Sequence, residues 1–286
     1  MNADFHSFAA ERGLIIRHIV SGRWVRVPTI THPRKRNGAY FFAGEYGFVQ
    51  DWANMETVDV WQDKRERTPF DQVALQKRMA DSQKAYSLQR SKAHHEAAVK
   101  AAQLLREAEM GEHAYLHNKG FKDTRGFIDD AGRLLIPMRD CISDDLRGIQ
   151  AIEWLPDERV FKKKMQHGMK AKGAIFRLGN KTAFEAFLVE GYATGLSVYT
   201  ALKQLRLNAS VVCCFSDSNM VHVAALLKGK KFIFADNDES QAGEKAAIKT
   251  GLPYGMSEEI GEDANDLHIR AGLMAVCKKV MEIRRK

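Results

Sequence analysis

Two short stretches of this sequence decide the fold, Phe187-Leu-Val-Glu190-Gly-Tyr192 and Lys230-Lys-Phe-Ile-Phe-Ala-Asp236-Asn-Asp238. Each is an apolar run of strand length that ends in acidic residues. Strand-like and helix-like segments alternate from residue 181 onward, which predicts a parallel sheet covered by helices. The carboxyl ends of neighbouring parallel strands share one crevice, so we expect Glu190, Asp236 and Asp238 to converge there.

Converging carboxylates predict a metal site. Asp236 and Asp238 are separated by one residue, so their side chains are expected to point the same way and share a divalent ion. Glu190 is expected either to complete the coordination or to accept a proton from an attacking hydroxyl. Oxygen ligands without a nearby group of His or Cys suit Mg²⁺ or Mn²⁺ better than Zn²⁺, which favours a phosphate-bearing substrate.

A third acidic motif follows in Gly261-Glu-Asp263-Ala-Asn265-Asp266. With this motif the chain resembles the Toprim domain, a metal-binding fold shared by bacterial-type primases, topoisomerases and some nucleases. The resemblance implies that Glu190, Asp236 and Asp238 are catalytic. It also implies that these three acids and Asp263 hold the metal.

The segment before this domain narrows the resemblance. The stretches Gly132-Arg-Leu-Leu-Ile-Pro-Met-Arg139-Asp, Phe161-Lys-Lys-Lys164 and Ala174-Ile-Phe-Arg-Leu-Gly179 resemble the basic subdomain of bacterial, phage and plasmid primases. Topoisomerases and Toprim nucleases lack this block. The resemblance implies that its basic residues bind nucleic acid and nucleotide, namely Arg133, Arg139, Lys162, Lys163, Lys164, Lys172 and Arg177.

Two positions depart from the family pattern. Thr194 and Asn265 stand where the bacterial primases usually carry an acid. Each exchange removes a potential anionic ligand, which leaves the number of bound metals open. The phage and plasmid branch of the family often carries the threonine form, so Thr194 is not interpreted as inactivating.

Composition is consistent with a nucleic-acid-binding protein. The chain of 286 residues has a net charge of +8 and a pI of about 9.2, with its basic residues gathered in clusters. Such clusters attract phosphates, although excess positive charge alone is a weak signal. The four cysteines contain no C-x₂-C pair, so no zinc is expected, in contrast to the zinc ribbon typical of bacterial primases.

Four regions are expected along the chain. Residues 1–66 contain short alternating runs typical of a small β module, interpreted as a zinc-free relative of the primase zinc ribbon. Its interleaved aromatic and basic residues either stack on single-stranded bases or fill its core. Residues 67–112 are rich in helix formers and predict a helical linker. Residues 113–180 form the basic α+β subdomain, and residues 181–286 form the Toprim domain.

The sequence therefore predicts a DNA primase of phage, plasmid or mobile-element type, which makes short RNA primers on single-stranded DNA from ribonucleoside triphosphates. Two alternatives stay open, a metal-dependent Toprim nuclease and a catalytically weak homologue that only binds nucleic acid. No phosphate-binding loop of the Gly-x₄-Gly-Lys-[Ser/Thr] type is present, so a separate replicative helicase is the expected partner. The absence of long apolar runs and of a signal-peptide pattern predicts a cytoplasmic protein without membrane contact.

Overall fold

The computed structural model describes residues 2–52, 55 and 57–286. The chain divides into two compact units, Met1–Ser87 and Leu88–Lys286. Of the expected β module at 1–66, four residues lie outside the described part of the chain, namely Met1, Ala53, Asn54 and Glu56. Among the described residues, no helix combines the length and the apolar character that a membrane span requires.

The first unit combines a helix with a four-stranded antiparallel sheet. Helix α1 (Asn2–Glu11) precedes strands β1 (Val25–Val27), β2 (Gly38–Phe42), β3 (Tyr46–Asp51) and β4 (Asp59–Gln62), which pair in sequence order. The helix corrects the expectation of a purely β module. Phe5 of α1 is fully buried, with its ring 4.8 Å from that of Phe42 and 5.5 Å from that of Trp61. Packing on the sheet therefore stabilises a helix too short to be stable alone.

Most aromatic residues of this unit belong to its core. Tyr40, Phe42 and Tyr46 are buried. Trp24 is half-buried and stacks on Tyr86 at a centroid distance of 4.0 Å. Trp52 is half-buried, with the Arg26 guanidinium 3.9 Å from its ring. The core interpretation is thus confirmed for the three buried rings, and a stacking surface for bases is limited to the partly exposed ones.

The expected helical segment is one continuous helix, α2 (Pro69–Glu107). It contains no glycine and has a single proline at its first position, where a missing N–H costs nothing. The helix ends before the expected boundary at residue 112, because strand β5 (Glu109–Gly111) starts two residues later.

The second unit is built on a ten-stranded mixed sheet. Its strands are β5, β6 (Gly126–Ile128), β7 (Leu134–Asp140), β8 (Leu146–Leu155), β9 (Val160–Met165), β10 (Ala174–Leu178), β11 (Glu185–Val189), β12 (Ala209–Cys213), β13 (Lys230–Phe234) and β14 (Tyr254–Gly255). The helices are α3 (Ala114–Asn118), α4 (Tyr192–Gln204), α5 (Asp217–Leu226), α6 (Ala242–Thr250), α7 (Ala264–Ala271) and α8 (Leu273–Arg285). The predicted alternation of strand and helix after residue 181 is confirmed.

Four strands of this sheet are parallel, in the order β14, β13, β11, β12. Their side chains alternate between two buried layers, because successive residues of a strand face opposite sides. Phe187 packs with α4, α7 and α8 on one face, and Leu188 packs with α5 and α6 on the other. The parallel strands are therefore covered on both faces, as parallel sheets require.

Strand β10 joins the parallel strands to the rest of the sheet. It pairs antiparallel with β12 on one side and with the end of β7 on the other. The division expected between residues 180 and 181 consequently does not coincide with a break in the sheet, since hydrogen bonding continues from β7 through β10 to β12. The basic strands and the acidic strand ends belong to one sheet.

Candidate active site

Three neighbouring strand ends bring acidic residues to one edge of the sheet. Strand β11 pairs in parallel with β12 and β13, with Leu188 opposite Val212 and Ile233. Glu190 follows the last residue of β11, and Asp236 lies two residues beyond the end of β13. The structure therefore brings Glu190, Asp236 and Asp238 to the same edge, in agreement with their positions in sequence.

Asp217 is a further acid at this edge, and sequence reasoning missed it. The backbone N–H of Phe215 donates to the Glu190 carbonyl at 2.8 Å, which continues the pairing beyond β12. Phe215 then adopts a left-handed conformation with φ of 64°, and Ser216 caps helix α5 by accepting from Asn219 N–H. Asp217 is the first residue of α5, so this turn places it beside Glu190. The sequence signal for Asp217 was the apolar run of β12 followed by Ser-Asp-Ser. This run matches β11 and β13, which are also followed by acids.

Burial and mutual repulsion dominate the electrostatics of this edge. Burial, followed by the charges of Asp263 and Glu190, raises the pKa of Asp236 to about 8. Burial, followed by the charges of Asp217 and Asp238, raises the pKa of Glu190 to about 7. Burial, followed by the charge of Asp238, also raises the pKa of Asp217. Carboxylates in such surroundings favour a shared proton or a cation.

Two carboxylate oxygens of this cluster have no hydrogen-bond partner among the described residues. They are Oδ1 of Asp236 and Oδ1 of Asp217, and both atoms are buried. A buried acceptor without a donor costs about 1–3 kcal/mol, so most are paired in folded proteins. These two orphaned oxygens are the clearest sign that the edge accommodates something more than its own side chains.

Asp238 has a different role from Asp236. Its carboxylate accepts from the Ser240 hydroxyl at 2.5 Å and from the N–H groups of Ala242 at 3.1 Å and Gly243 at 3.2 Å. These hydrogen bonds, with that of Ser240 the strongest, lower its pKa. Asp238 is therefore an ionised residue that anchors the first turn of α6 while its charge acts on the cluster. Gly243 is needed here, because a Cβ would lie 2.5 Å from the Asp236 carbonyl oxygen.

The third motif reaches the same edge through helix α7. Asp263 caps this helix, accepting from Asn265 N–H at 2.6 Å and Asp266 N–H at 3.0 Å. The Thr194 hydroxyl donates to Oδ2 of Asp263 at 3.0 Å. Thr194 thus lies at the crevice, as its position in the motif implies, but it supplies a donor in place of a negative charge.

Asn265 lies in the interior instead of at the crevice. It is fully buried, and its side-chain amide donates to the Lys119 carbonyl at 2.9 Å and to the Ser197 hydroxyl at 3.2 Å. These bonds tie α7 to α4 and to the turn after α3. Asn265 is consequently a packing residue and not a ligand in the crevice.

The donor set fits a hard divalent cation. All the acids at this edge offer oxygen, and two of their oxygens lack donors in the part of the chain that the structure describes. Within the described residues, no three Asp, Glu, His or Cys side chains already stand in the arrangement of a metal site. The pKa shifts nevertheless show that the acids act on one another. The acids therefore converge without being arranged as ligands, and a cation would have to draw them together. Mg²⁺ and Mn²⁺ suit such ligands.

Comparisons with known proteins find a likeness to a solved structure. No family model matches the chain, and no curated protein matches it. The chain is similar to a chain of a solved complex from bacteriophage T7, in which the lagging-strand DNA polymerase interacts with the primase domains of two gp4 subunits bound to an RNA/DNA hybrid and dTTP. The identity is 16%, the match covers 63% of this chain and 92% of that chain, and the TM-score is 0.39. A similarity with so low an identity and TM-score gives no information about the chemistry of this chain.

Among the three lysines of β9, Lys163 is the one directed towards the acids. It lies opposite the buried Ile152, and its ammonium is 5.6 Å from the centre of the Tyr115 ring. Its charge acts on Glu190, opposing the rise in pKa that burial causes there. Successive residues of a strand face opposite sides, so Lys162 and Lys164 lie on the other face, where Lys164 pairs with Glu153.

The other expected basic residues have varied surroundings. Arg133 pairs with Asp129 at 2.6 Å, and Arg139 donates to the Asp144 carbonyl at 3.0 Å. Arg177 donates to Ser210, the second residue of β12, whereas the acids follow the last residue of that strand. Lys172 is exposed. Arg177 is therefore placed to support the sheet, and Lys172 lies outside the core.

Proposed function

We propose that this protein is a DNA primase of the Toprim type, from a phage, plasmid or other mobile element. It joins ribonucleoside triphosphates into short RNA primers on single-stranded DNA, and it depends on Mg²⁺ or Mn²⁺. The observation that carries the proposal is the convergence of five acids, Glu190, Asp217, Asp236, Asp238 and Asp263, around buried oxygens that lack donors within the described residues.

The crevice has the groups that phosphoryl transfer needs. Asp236, Asp217 and Asp263 would hold the cation, and Asp238 would add its charge from the first turn of α6. A bound divalent cation neutralises charge on the phosphates and lowers the barrier to attack by a hydroxyl. Glu190 is the residue suited to accept the proton of the attacking 3′-hydroxyl, because its pKa of about 7 lies near neutral pH.

Lys163 supplies the positive charge that the acids themselves lack. Its charge acts on Glu190, so its ammonium would attract a phosphate beside the acids. Lys163 is therefore proposed to bind a nucleotide phosphate. No covalent nucleophile is required for this chemistry, since positioning and charge neutralisation suffice.

Partners follow from the proposed reaction. The template is single-stranded DNA, the substrates are ribonucleoside triphosphates, and a separate helicase would open the duplex. A protein acting in replication is expected in the cytoplasm of a bacterial host. Each of these statements depends on the primase activity.

The decisive experiment incubates the protein with labelled ribonucleotides, mixed-sequence single-stranded DNA and either Mg²⁺ or Mn²⁺. Short labelled oligomers that disappear in Asp236→Ala/Asp238→Ala would support a primase. A matched control is Asp157→Ala/Glu158→Ala, which removes two exposed acids from the turn between β8 and β9. Shortening of the DNA without new oligomers would indicate a Toprim nuclease. Metal-independent DNA binding without either product would indicate a binding protein.

A further inference from the structure

The loop between β9 and β10, residues 166–173, is attached to its surroundings at both ends. Gln166 lies at its start, where Oε1 accepts from Ile149 N–H at 3.2 Å and Nε2 donates to the Ala97 carbonyl of α2 at 2.8 Å. Gly173 lies at its end and donates through its N–H to Oδ1 of Asn219 at 2.7 Å. The loop therefore runs from helix α2 to the first turn of α5.

Two close approaches fix the middle of the loop. Gly168 has φ of 82° and packs on α2, since a Cβ there would lie 3.5 Å from the Ala93 carbonyl oxygen. Met169 packs on Gly148 at the start of β8, where an added Cβ would lie 2.7 Å from the Met169 Cβ. These approaches hold α2, β8 and the loop together at one corner of the second unit.

Each of these packing residues has a basic neighbour in sequence, and the basic residues gather at that corner. His94 follows Ala93, Arg147 precedes Gly148, and Lys170 follows Met169, while Arg90 lies one helical turn before His94. Burial, followed by the positive charges of Arg90, Lys170 and Arg147, lowers the pKa of His94. We call these four residues, Arg90, His94, Arg147 and Lys170, the α2 corner.

Two positive side chains of the α2 corner lie at the protein surface. Arg90 and Lys170 are exposed. Arg147 pairs with Asp140 at 2.8 Å, yet its Nε is buried without a hydrogen-bond partner among the described residues. A dense group of exposed cations attracts a polyanion, since phosphates that bind there release their own counterions.

We propose that the phosphodiester backbone of single-stranded DNA binds at the α2 corner and follows the loop past Lys172 to the acidic crevice. The course of the loop supports this path. It starts at the corner and ends at Asn219, two residues from Asp217, so Lys170 and Lys172 lie between the two places. The inference rests on the proposed function, because single-stranded DNA needs to extend to the acidic crevice only if primer synthesis takes place there.

The test compares two double variants that each remove two exposed positive charges. Arg90→Ala/Lys170→Ala alters the α2 corner. The matched control, Lys228→Ala/Lys249→Ala, removes charges just before β13 and in the last turn of α6, at the amino-terminal end of the parallel strands. Circular dichroism checks that both variants are folded. Fluorescence anisotropy with labelled oligothymidine at several salt concentrations gives the slope of log affinity against log salt.

The corner variant is expected to reduce that slope by up to about 1.4, at about 0.7 for each phosphate of a single strand that the protein ceases to neutralise. The control is expected to keep the wild-type slope. Equal slopes of log affinity against log salt in the two variants would overturn the proposed path of the DNA, even if the wild type makes primers. Wild-type binding to polyglutamate as tight as to DNA would overturn it in favour of an acidic protein partner. Primer synthesis by the wild type is measured in parallel, so that failure of the primase function is seen separately from failure of the path.

Discussion

The hydroxyl of Thr194 donates a hydrogen bond to the Asp263 carboxylate at 3.0 Å, across the junction of α4 and α7. Thr194 is buried, and Asp263 also caps α7 through two backbone N–H groups. The threonine therefore holds in place an acid of the crevice. Its exchange for a carboxylate would set two negative charges side by side.

Thr194→Val should reduce both stability and metal binding. The variant keeps the size of the side chain but removes the donor, so the free energy of unfolding should fall by about 1–3 kcal/mol. Urea unfolding and Mn²⁺ titration measure the two effects. Thr194→Ser keeps the hydroxyl and is expected to retain metal affinity much better than Thr194→Val. Equal metal affinity in the two variants would show that the bond to Asp263 is unimportant for the site.

Asp236→Asn and Asp238→Asn should change stability in opposite directions. Asp236 is a repelled carboxylate with a buried oxygen that lacks a donor among the residues described, so its neutralisation should stabilise the metal-free protein above pH 8. Asp238 places a negative charge at the first turn of α6, so its neutralisation should cost about 0.3–1 kcal/mol through the lost interaction with the amino terminus of the helix. Urea unfolding in EDTA measures both changes.

Both of these variants should abolish primer synthesis and leave DNA affinity within a few fold of the wild type. In the proposed mechanism Asp236 holds the cation and Asp238 adds its negative charge beside it, whereas basic residues elsewhere bind the DNA. Strong synthesis by either variant at ordinary Mg²⁺ concentrations would contradict the role proposed for that residue.

The contribution of Glu190 and Asp236 to the stability of the metal-free protein should fall as the pH rises from about 4 to about 8. The unfolded chain releases carboxyl protons near pH 4, whereas folded Glu190 and Asp236 keep theirs until about pH 7 and 8. The unfolded state therefore binds fewer protons in this window, and each pH step favours it. Unfolding in EDTA at about pH 5, 6, 7 and 8 measures the effect, with Asp236→Asn as the reference. An identical pH dependence in wild type and variant would refute the raised pKa of Asp236.

Mg²⁺ should reverse that loss above pH 7. A cation favours the ionised acids and binds the folded state alone, so the unfolding midpoint should rise with metal concentration at pH 8. The gain should be smaller at pH 5, where protons occupy the same carboxyls. An unfolding midpoint that does not change with Mg²⁺ concentration at pH 8 would argue against a cation at this edge of the sheet.

Lys163→Ala should impair synthesis more than Lys162→Ala/Lys164→Ala does. Lys163 acts on Glu190 from the face that carries the core, whereas its two neighbours lie on the opposite face of β9. We expect at least a tenfold loss of primer synthesis in the single variant, equivalent to about 1.4 kcal/mol in the barrier. The double variant, which loses more charge, serves as the control and should mainly weaken DNA binding. A greater loss of synthesis in the double variant would reverse this assignment.

The sequence by itself determined the parallel strands and three of their acids. An apolar run that ends in Glu190 or in Asp236 and Asp238 is a local pattern, and parallel strands bring their carboxyl ends together whatever loops connect them. The helix over residues 69–107 could also be predicted from the sequence, because helix-forming residues dominate its whole length. These features depend on neighbours in sequence.

The tertiary structure alone decided which side chains complete the site. Asp217 enters it through the left-handed turn at Phe215, and Lys163 rather than Lys162 faces it because of the register of β8 and β9. Asn265 leaves it because its amide finds partners at Lys119 and Ser197. Burial, repulsion and hydrogen bonding depend on residues distant in sequence, so a pattern of residue types cannot specify them. Helix α1 formed for the same reason, since the partners of Phe5 lie on strands that follow it.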